Sequence, residues 1–98
     1  MLPKHKRLTA AEVREILKSG RSARSSTLSA KYVPSPSARA AVVVSKKVAK
    51  TAVLRNKLRR AAYDALGPLL PAQKNIVLFL HKPALDIHEL TSLCSKLS

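Results

Sequence analysis

The stretch from Val42 to Arg60, VVVSKKVAKTAVLRNKLRR, holds the side chains best suited to chemistry. An apolar run leads into a basic turn with Lys46, Lys47 and Lys50. That turn opens a helical pattern carrying Arg55, Asn56, Lys57, Arg59 and Arg60, and no residue of the stretch is acidic. Such a segment cannot form a packed core by itself, because a buried, unpaired ammonium or guanidinium costs several kcal/mol of desolvation. It requires water or a polyanion. Free amides and the positive end of the helix dipole near Thr51 favour a phosphate, and the three lysines surround that point. Arg55 and Arg59 are one turn apart, project along the same side and are flanked by Asn56 and Arg60. This pattern fits the holding of a phosphate backbone; nothing in it breaks a bond.

The rest of the chain supports that reading. Nineteen Lys and Arg stand against five Asp and Glu in 98 residues, a net charge of +14. Residues 1 to 60 hold sixteen basic and two acidic side chains, whereas residues 61 to 98 hold three of each. Self-repulsion on this scale is best tolerated beside an anionic partner, and nucleic acid is the first candidate. There is no Gly-rich phosphate loop, no Cys/His ligand spacing and no pair of carboxylates among the candidate site residues. The protein alone is therefore not expected to be a catalyst. His5 reads as a phosphate or base contact, while His81 and His88 have no nucleophile or carboxylate placed beside them and read as structural. Cys94 shares a helical face with Leu90 and Leu97 and reads as a small core residue. A lone cysteine and the lack of a long apolar run lead to the expectation of a soluble, cytoplasmic protein.

One domain, residues 1–98, must position these groups. The arm Lys4, His5, Lys6, Arg7 precedes Thr9 and Glu12, whose spacing is that of a capping box, and a helix is predicted from Ala10 to Ser19 with Gly20 as its left-handed stop. Alternation predicts a one-sided strand from Thr27 to Val33, with Leu28, Ala30 and Tyr32 inward and Ser29 and Lys31 outward. After Pro34 and Pro36, a second strand is predicted from Arg39 to Ser45. Leu54, Leu58, Ala61, Ala62, Ala65 and Leu66 form one face of a helix expected to run from Thr51 and to end at Gly67 and Pro68. Ile76 to His81 is apolar at nearly every position, as a central strand covered on both faces would be. Asp86 and Glu89 repeat the capping pattern ahead of a closing helix. The coarse order is α-β-β-α-β-α.

A helix-turn-helix reader of DNA needs two helices joined by a short turn, but here an apolar strand precedes the basic helix. No aromatic pair of the kind used by an RRM lies on a strand. Three motifs, in order, instead resemble one family, the protein subunit of bacterial ribonuclease P: Lys4-His5-Lys6-Arg7-Leu8, Val44-Ser45-Lys46-Lys47-Val48, and Arg55-Asn56-Lys57-Leu58-Arg59-Arg60. A lesser match is Leu80-His81-Lys82-Pro83 after the last strand.

The resemblance implies an α/β two-layer sandwich around a small mixed sheet, mostly four-stranded, with a left-handed crossover carrying the Arg-Asn helix. A short edge strand would then lie within residues 21–26. It also implies a protein cofactor of an RNA enzyme that uses Mg²⁺, bound mainly by the RNA, to remove the 5′ leader of precursor tRNA. Lys46, Lys47, Lys50, Arg55, Asn56, Lys57, Arg59 and Arg60 would contact the catalytic RNA. The leader would lie along a cleft formed by the arm (Lys4, His5, Lys6, Arg7), helix one (Val13, Leu17) and the open strand face (Ser29, Lys31). Family members usually carry aromatics where this chain has Val13 and Leu17, so charge is expected to contribute more to leader binding here. The loop before Arg55 is one residue longer than usual, Lys57 replaces an arginine of the motif, and Tyr63 stands where a basic residue is common. The alternative partner is ribosomal RNA, for a structural RNA-binding protein of the ribosomal type.

Overall fold

A computed structural model describes residues 6–36, 38–70 and 73–97. The elements are α1 (Ala10–Ser19), β1 (Arg21–Arg24), β2 (Leu28–Pro34), β3 (Arg39–Val44), α2 (Ala52–Leu69), β4 (Lys74–Leu80) and α3 (Ile87–Leu97). The four strands form one mixed sheet in the order β1-β2-β4-β3. Strand β2 is antiparallel to both β1 and β4, whereas β3 and β4 are parallel and joined through α2. The edge strand β1 falls where the family resemblance implied it. Its Arg-Ser-Ala-Arg sequence carries too little apolar alternation to mark a strand, and it forms through pairing with β2.

The layers follow from the two-residue period of the strands. Leu28 and Ala30 of β2, Ala40, Val42 and Val44 of β3, and Ile76, Leu78 and Leu80 of β4 share one face. They pack with Leu58, Ala62 and Leu66 of α2 and Leu90, Leu93 and Cys94 of α3. Burial also raises the pKa of the Cys94 thiol, so it behaves as the apolar residue the sequence suggested. On the other face α1 lies against β2 and β4, and the buried residues there are Ile16, Ala41 and Val77. The central position of β4 agrees with its apolar run, but its second face is covered only in part, since Phe79 remains partly exposed.

Two helix ends differ from the sequence expectation. Gly20 has φ −73° and ψ 154°, an extended conformation rather than a left-handed one. Glycine is needed there for space: a Cβ would sit 2.5 Å from the Ile16 carbonyl oxygen, which already accepts the Gly20 N–H, and 3.2 Å from the Tyr32 carbonyl oxygen. Helix α2 does not stop at Gly67 and Pro68 but continues to Leu69. Proline in this last turn gives up one amide donor. The continuation packs Leu69 and, just past the helix end, Leu70 against the core beside the fully buried Leu66, and this packing overrides the local stop signal.

The capping box of α1 forms as predicted, with Thr9 N–H donating to Glu12 Oε1 at 3.0 Å and Glu12 N–H to Thr9 Oγ1 at 3.3 Å. In α3 only half of the pattern is used. Asp86 Oδ1 accepts the Glu89 N–H at 3.1 Å, but the Glu89 carboxylate turns to the β1–β2 turn, where it accepts from Ser25 Oγ, Thr27 Oγ1 and, at 2.8 Å, Thr27 N–H. The Ser25 and Thr27 hydrogen bonds stabilise the charged form and lower its pKa to about 2.

Candidate nucleic-acid interface

The connection from β3 to α2 is anchored from within. Ala49 is buried in the core, and the Val48 and Ala49 amides both donate to the Ser45 carbonyl at 3.1 Å. This turn leaves Lys46, Lys47 and Lys50 exposed. Thr51 caps α2 by accepting the Leu54 N–H at 3.2 Å, and no acidic residue occupies the first turn to offset the helix dipole. Arg55 differs from its neighbours. Its guanidinium donates to the Ala49 carbonyl at 3.0 Å and the Lys50 carbonyl at 3.3 Å, so it holds the lysine-bearing loop to the helix.

Farther along α2, Arg59 donates to Asn56 Oδ1, which sets the two side chains side by side. Asn56, Arg59 and Arg60 line a hollow of about 340 Å³ together with Tyr63 and Arg7 of the N-terminal arm. Lys57 shares a neighbouring hollow with Val53, Asn56 and Arg60. Arg7 reaches this place because Arg7 and Leu8 run along the outer edge of β3. Arg7 forms a parallel bridge with Ala40, and Leu8 N–H donates to the Ala40 carbonyl at 2.9 Å. Tyr63 completes the junction, its phenol oxygen accepting the Val42 N–H at 3.1 Å. An edge amide of β3 is thereby satisfied, and α2 is tied to the strand beside the arm.

On the opposite face of the sheet lies a second hollow, of about 390 Å³, lined by Ser22 and Arg24 of β1, Ser29 and Lys31 of β2, and Phe79 of β4 among others. Lys31 Nζ donates to the Leu17 carbonyl at 3.1 Å and so links this face to the end of α1, and Ser29 Oγ lies 2.7 Å from His81 Nε2. Val13 is partly buried and Leu17 is 37% exposed, and neither is among the residues that line this hollow. Ser22, Arg24, Phe79 and His81 carry no sequence signal that marks them as site residues, with one exception. The period of β4 offers a signal for Phe79, since a residue between buried Leu78 and Leu80 must face the other way. Lys6 is exposed at the start of the described chain, and Lys4 and His5 lie outside the described residues.

The structure thus gathers Arg7 with Asn56, Arg59 and Arg60, ties the lysine loop to the first turns of α2 through Arg55, and sets Ser29 and Lys31 on a separate face. The family model for ribonuclease P matches residues 2–97. The chain belongs to the ribonuclease P family. It is similar to the ribonuclease P protein component of Thermus aquaticus, 44% identical over 62 residues, a match that covers 63% of this chain and 38% of that protein. Its fold is similar to that of the RNase P protein of Staphylococcus aureus, with a TM-score of 0.74, 23% identity and coverage of 93% of this chain and 90% of that one. The RNase P protein of Thermotoga maritima gives a TM-score of 0.74 at 21% identity, covering 93% of each chain. Among the described residues no helix is long and apolar enough to cross a membrane, and no group of three His, Cys, Asp or Glu side chains is placed to hold a metal.

Proposed function

We propose that this chain is the protein subunit of an RNA-catalysed ribonuclease P, acting in the cytoplasm on precursor tRNA. The RNA, with Mg²⁺ bound mainly to it, supplies the chemistry: hydrolysis of one phosphodiester that frees the 5′ leader. The protein supplies two contact surfaces. Lys46, Lys47, Lys50, Asn56, Lys57, Arg59 and Arg60 meet the catalytic RNA, joined by Arg7 from the arm, while Arg55 orders the loop that presents the lysines. The opposite sheet face, with Ser22, Arg24, Ser29, Lys31 and Phe79 beside α1, takes the single-stranded leader.

The observation that carries this reading is the meeting of Arg7, Asn56, Arg59 and Arg60 around one hollow with no acidic residue in its lining. A positive surface of this kind releases counterions from RNA on binding and lowers the repulsion between two RNAs, so less Mg²⁺ is needed to bring them together. Phe79 gives the leader face an aromatic ring on which a base can stack, which compensates for the aliphatic residues on α1. The test is single-turnover cleavage of a precursor tRNA by the same organism's ribonuclease P RNA at low millimolar Mg²⁺, with and without the protein, beside a protein-only control. Correct 5′ processing that requires both components is the expected result. Salt-sensitive RNA binding with no stimulation of cleavage would overturn it in favour of a structural RNA-binding protein.

A further inference from the structure

Arg7 and α2 belong to different parts of the chain, and their meeting has to be enforced against the repulsion of three guanidinium groups. The enforcing contacts are visible around Arg39. Its Nη2 donates to the Arg7 carbonyl at 3.2 Å and to Glu12 Oε1 at 2.7 Å, and its Nη1 donates to Glu12 Oε2, a bidentate pair. Glu12 is in turn fixed by the capping box of α1, and its carboxyl pKa is lowered, chiefly by the Thr9 N–H and further by Thr9 Oγ1 and Arg39. The side chains of Arg39 and Glu12 are 25% and 32% exposed, so the pair is partly shielded from water. One ion pair therefore ties the start of α1, strand β3 and the backbone of the arm together at the residue whose side chain enters the α2 hollow. The Nε atoms of Arg7 and Arg39, both residues lining the adjoining hollow, are buried without a protein acceptor.

We propose that Glu12 and Arg39 are positioning residues for RNA binding: without touching the RNA, they hold Arg7 beside Arg59 and Arg60 so that the arm and α2 engage it as one unit. This rests on the reading of α2 as the surface that meets the catalytic RNA. Long-range charge and positioning predict opposite signs for one substitution. Glu12→Gln removes a negative charge from a protein of net charge +14, so an effect of overall field alone would tighten RNA binding. Loss of positioning would weaken it, and glutamine retains the capping-box acceptor, which spares the helix start.

The experiment measures affinity for ribonuclease P RNA across a range of salt, for the wild type, Glu12→Gln, Arg7→Ala and the double variant, with Arg39→Lys as an independent disruption of the bidentate fork. Glu12→Gln and Arg39→Lys should each weaken binding about 2- to 10-fold, and Glu12→Gln should cost nothing further once Arg7 is alanine. The salt slope of Glu12→Gln should fall toward that of Arg7→Ala, by about 0.7 to 0.9 for each phosphate no longer neutralised. Unchanged or tighter binding by Glu12→Gln, or a weakening that adds fully to that of Arg7→Ala, would overturn the positioning role while leaving the RNA-contact reading intact. Salt-insensitive, weak binding by the wild type would remove the RNA-contact reading itself, and the positioning role with it.

Discussion

On the side of α2 and α3, β4 presents Ile76, Leu78 and Leu80, each at most 3% exposed; on the other side it presents Val77, sealed beneath α1, and Phe79, left partly open. The first face is closed by two helices and its inward residues are aliphatic. The second is closed by a single ten-residue helix whose one fully buried side chain is Ile16, and beyond it Arg24, Ser29, Lys31 and Phe79 remain accessible. Alternate residues of one strand thus face a closed core on one side and a partly open strip on the other. The difference arises from coverage: the sheet is wider than one helix can hide, and the uncovered strip is the one furnished with polar and basic groups.

The largest effect expected from this contrast is at Leu78. Truncation of this fully buried side chain by Leu78→Ala should destabilise the fold by about 2 to 5 kcal/mol, read from urea denaturation. A cost below about 1 kcal/mol would mean that the α2/α3 face is not the tightly packed core described. Phe79→Ala, one residue away, should instead act on binding, weakening the association of a single-stranded leader by about 1 to 3 kcal/mol. Its folding cost should be smaller than that of Leu78→Ala. Equal effects of the two substitutions on stability, with leader binding unchanged, would erase the distinction between the faces.

Next comes the close approach of α1 to β2. Gly20→Ala places a Cβ against the Ile16 carbonyl and should lower stability by about 1 to 3 kcal/mol, measured by the same denaturation. Gly67→Ala is the contrasting control. A Cβ meets nothing there within 4 Å, in a helical position, so stability should rise by about 0.4 to 1 kcal/mol.

The smallest effect expected is the acid response of Glu89, which pins α3 to the β1–β2 turn. Its folded pKa of about 2 is below the ordinary 4.5, so the stability it contributes is present above about pH 4.5 and is lost as pH falls toward 2. Glu89→Gln should therefore be less stable than the wild type at pH 6, and the gap in denaturation midpoint should narrow by pH 3. A gap that is constant with pH would show that the carboxylate charge is not what the Ser25 and Thr27 contacts stabilise.

The helix boundaries at Ala10 and Ser19, the strands of alternating or continuous apolar character and the basic helix are legible in the sequence because each rests on local pattern, and Thr9 and Glu12 form the box their spacing promises. Strand β1 is legible only through the family resemblance, since Arg-Ser-Ala-Arg has no strand signature of its own. The role of Arg55 escapes the sequence for a related reason. One helical turn separates it from Arg59, yet its acceptors are the loop carbonyls of Ala49 and Lys50, and helical spacing cannot show which of two arginines a loop will capture.

Charge and hydrophobic period are properties of neighbouring residues, so the order of amino acids is enough to specify a basic α/β chain suited to holding a polyanion. Other features come from the assembled fold alone: Arg7 joins Arg59 and Arg60, Arg39 holds the Arg7 carbonyl while paired with Glu12, Glu89 leaves its own helix for Thr27, and Ser22 and Arg24 of β1 come beside Ser29 and Lys31. Each of these depends on which strand edge is left unpaired and which strip of sheet is left uncovered. Those are outcomes of packing between distant segments, and no local pattern encodes them.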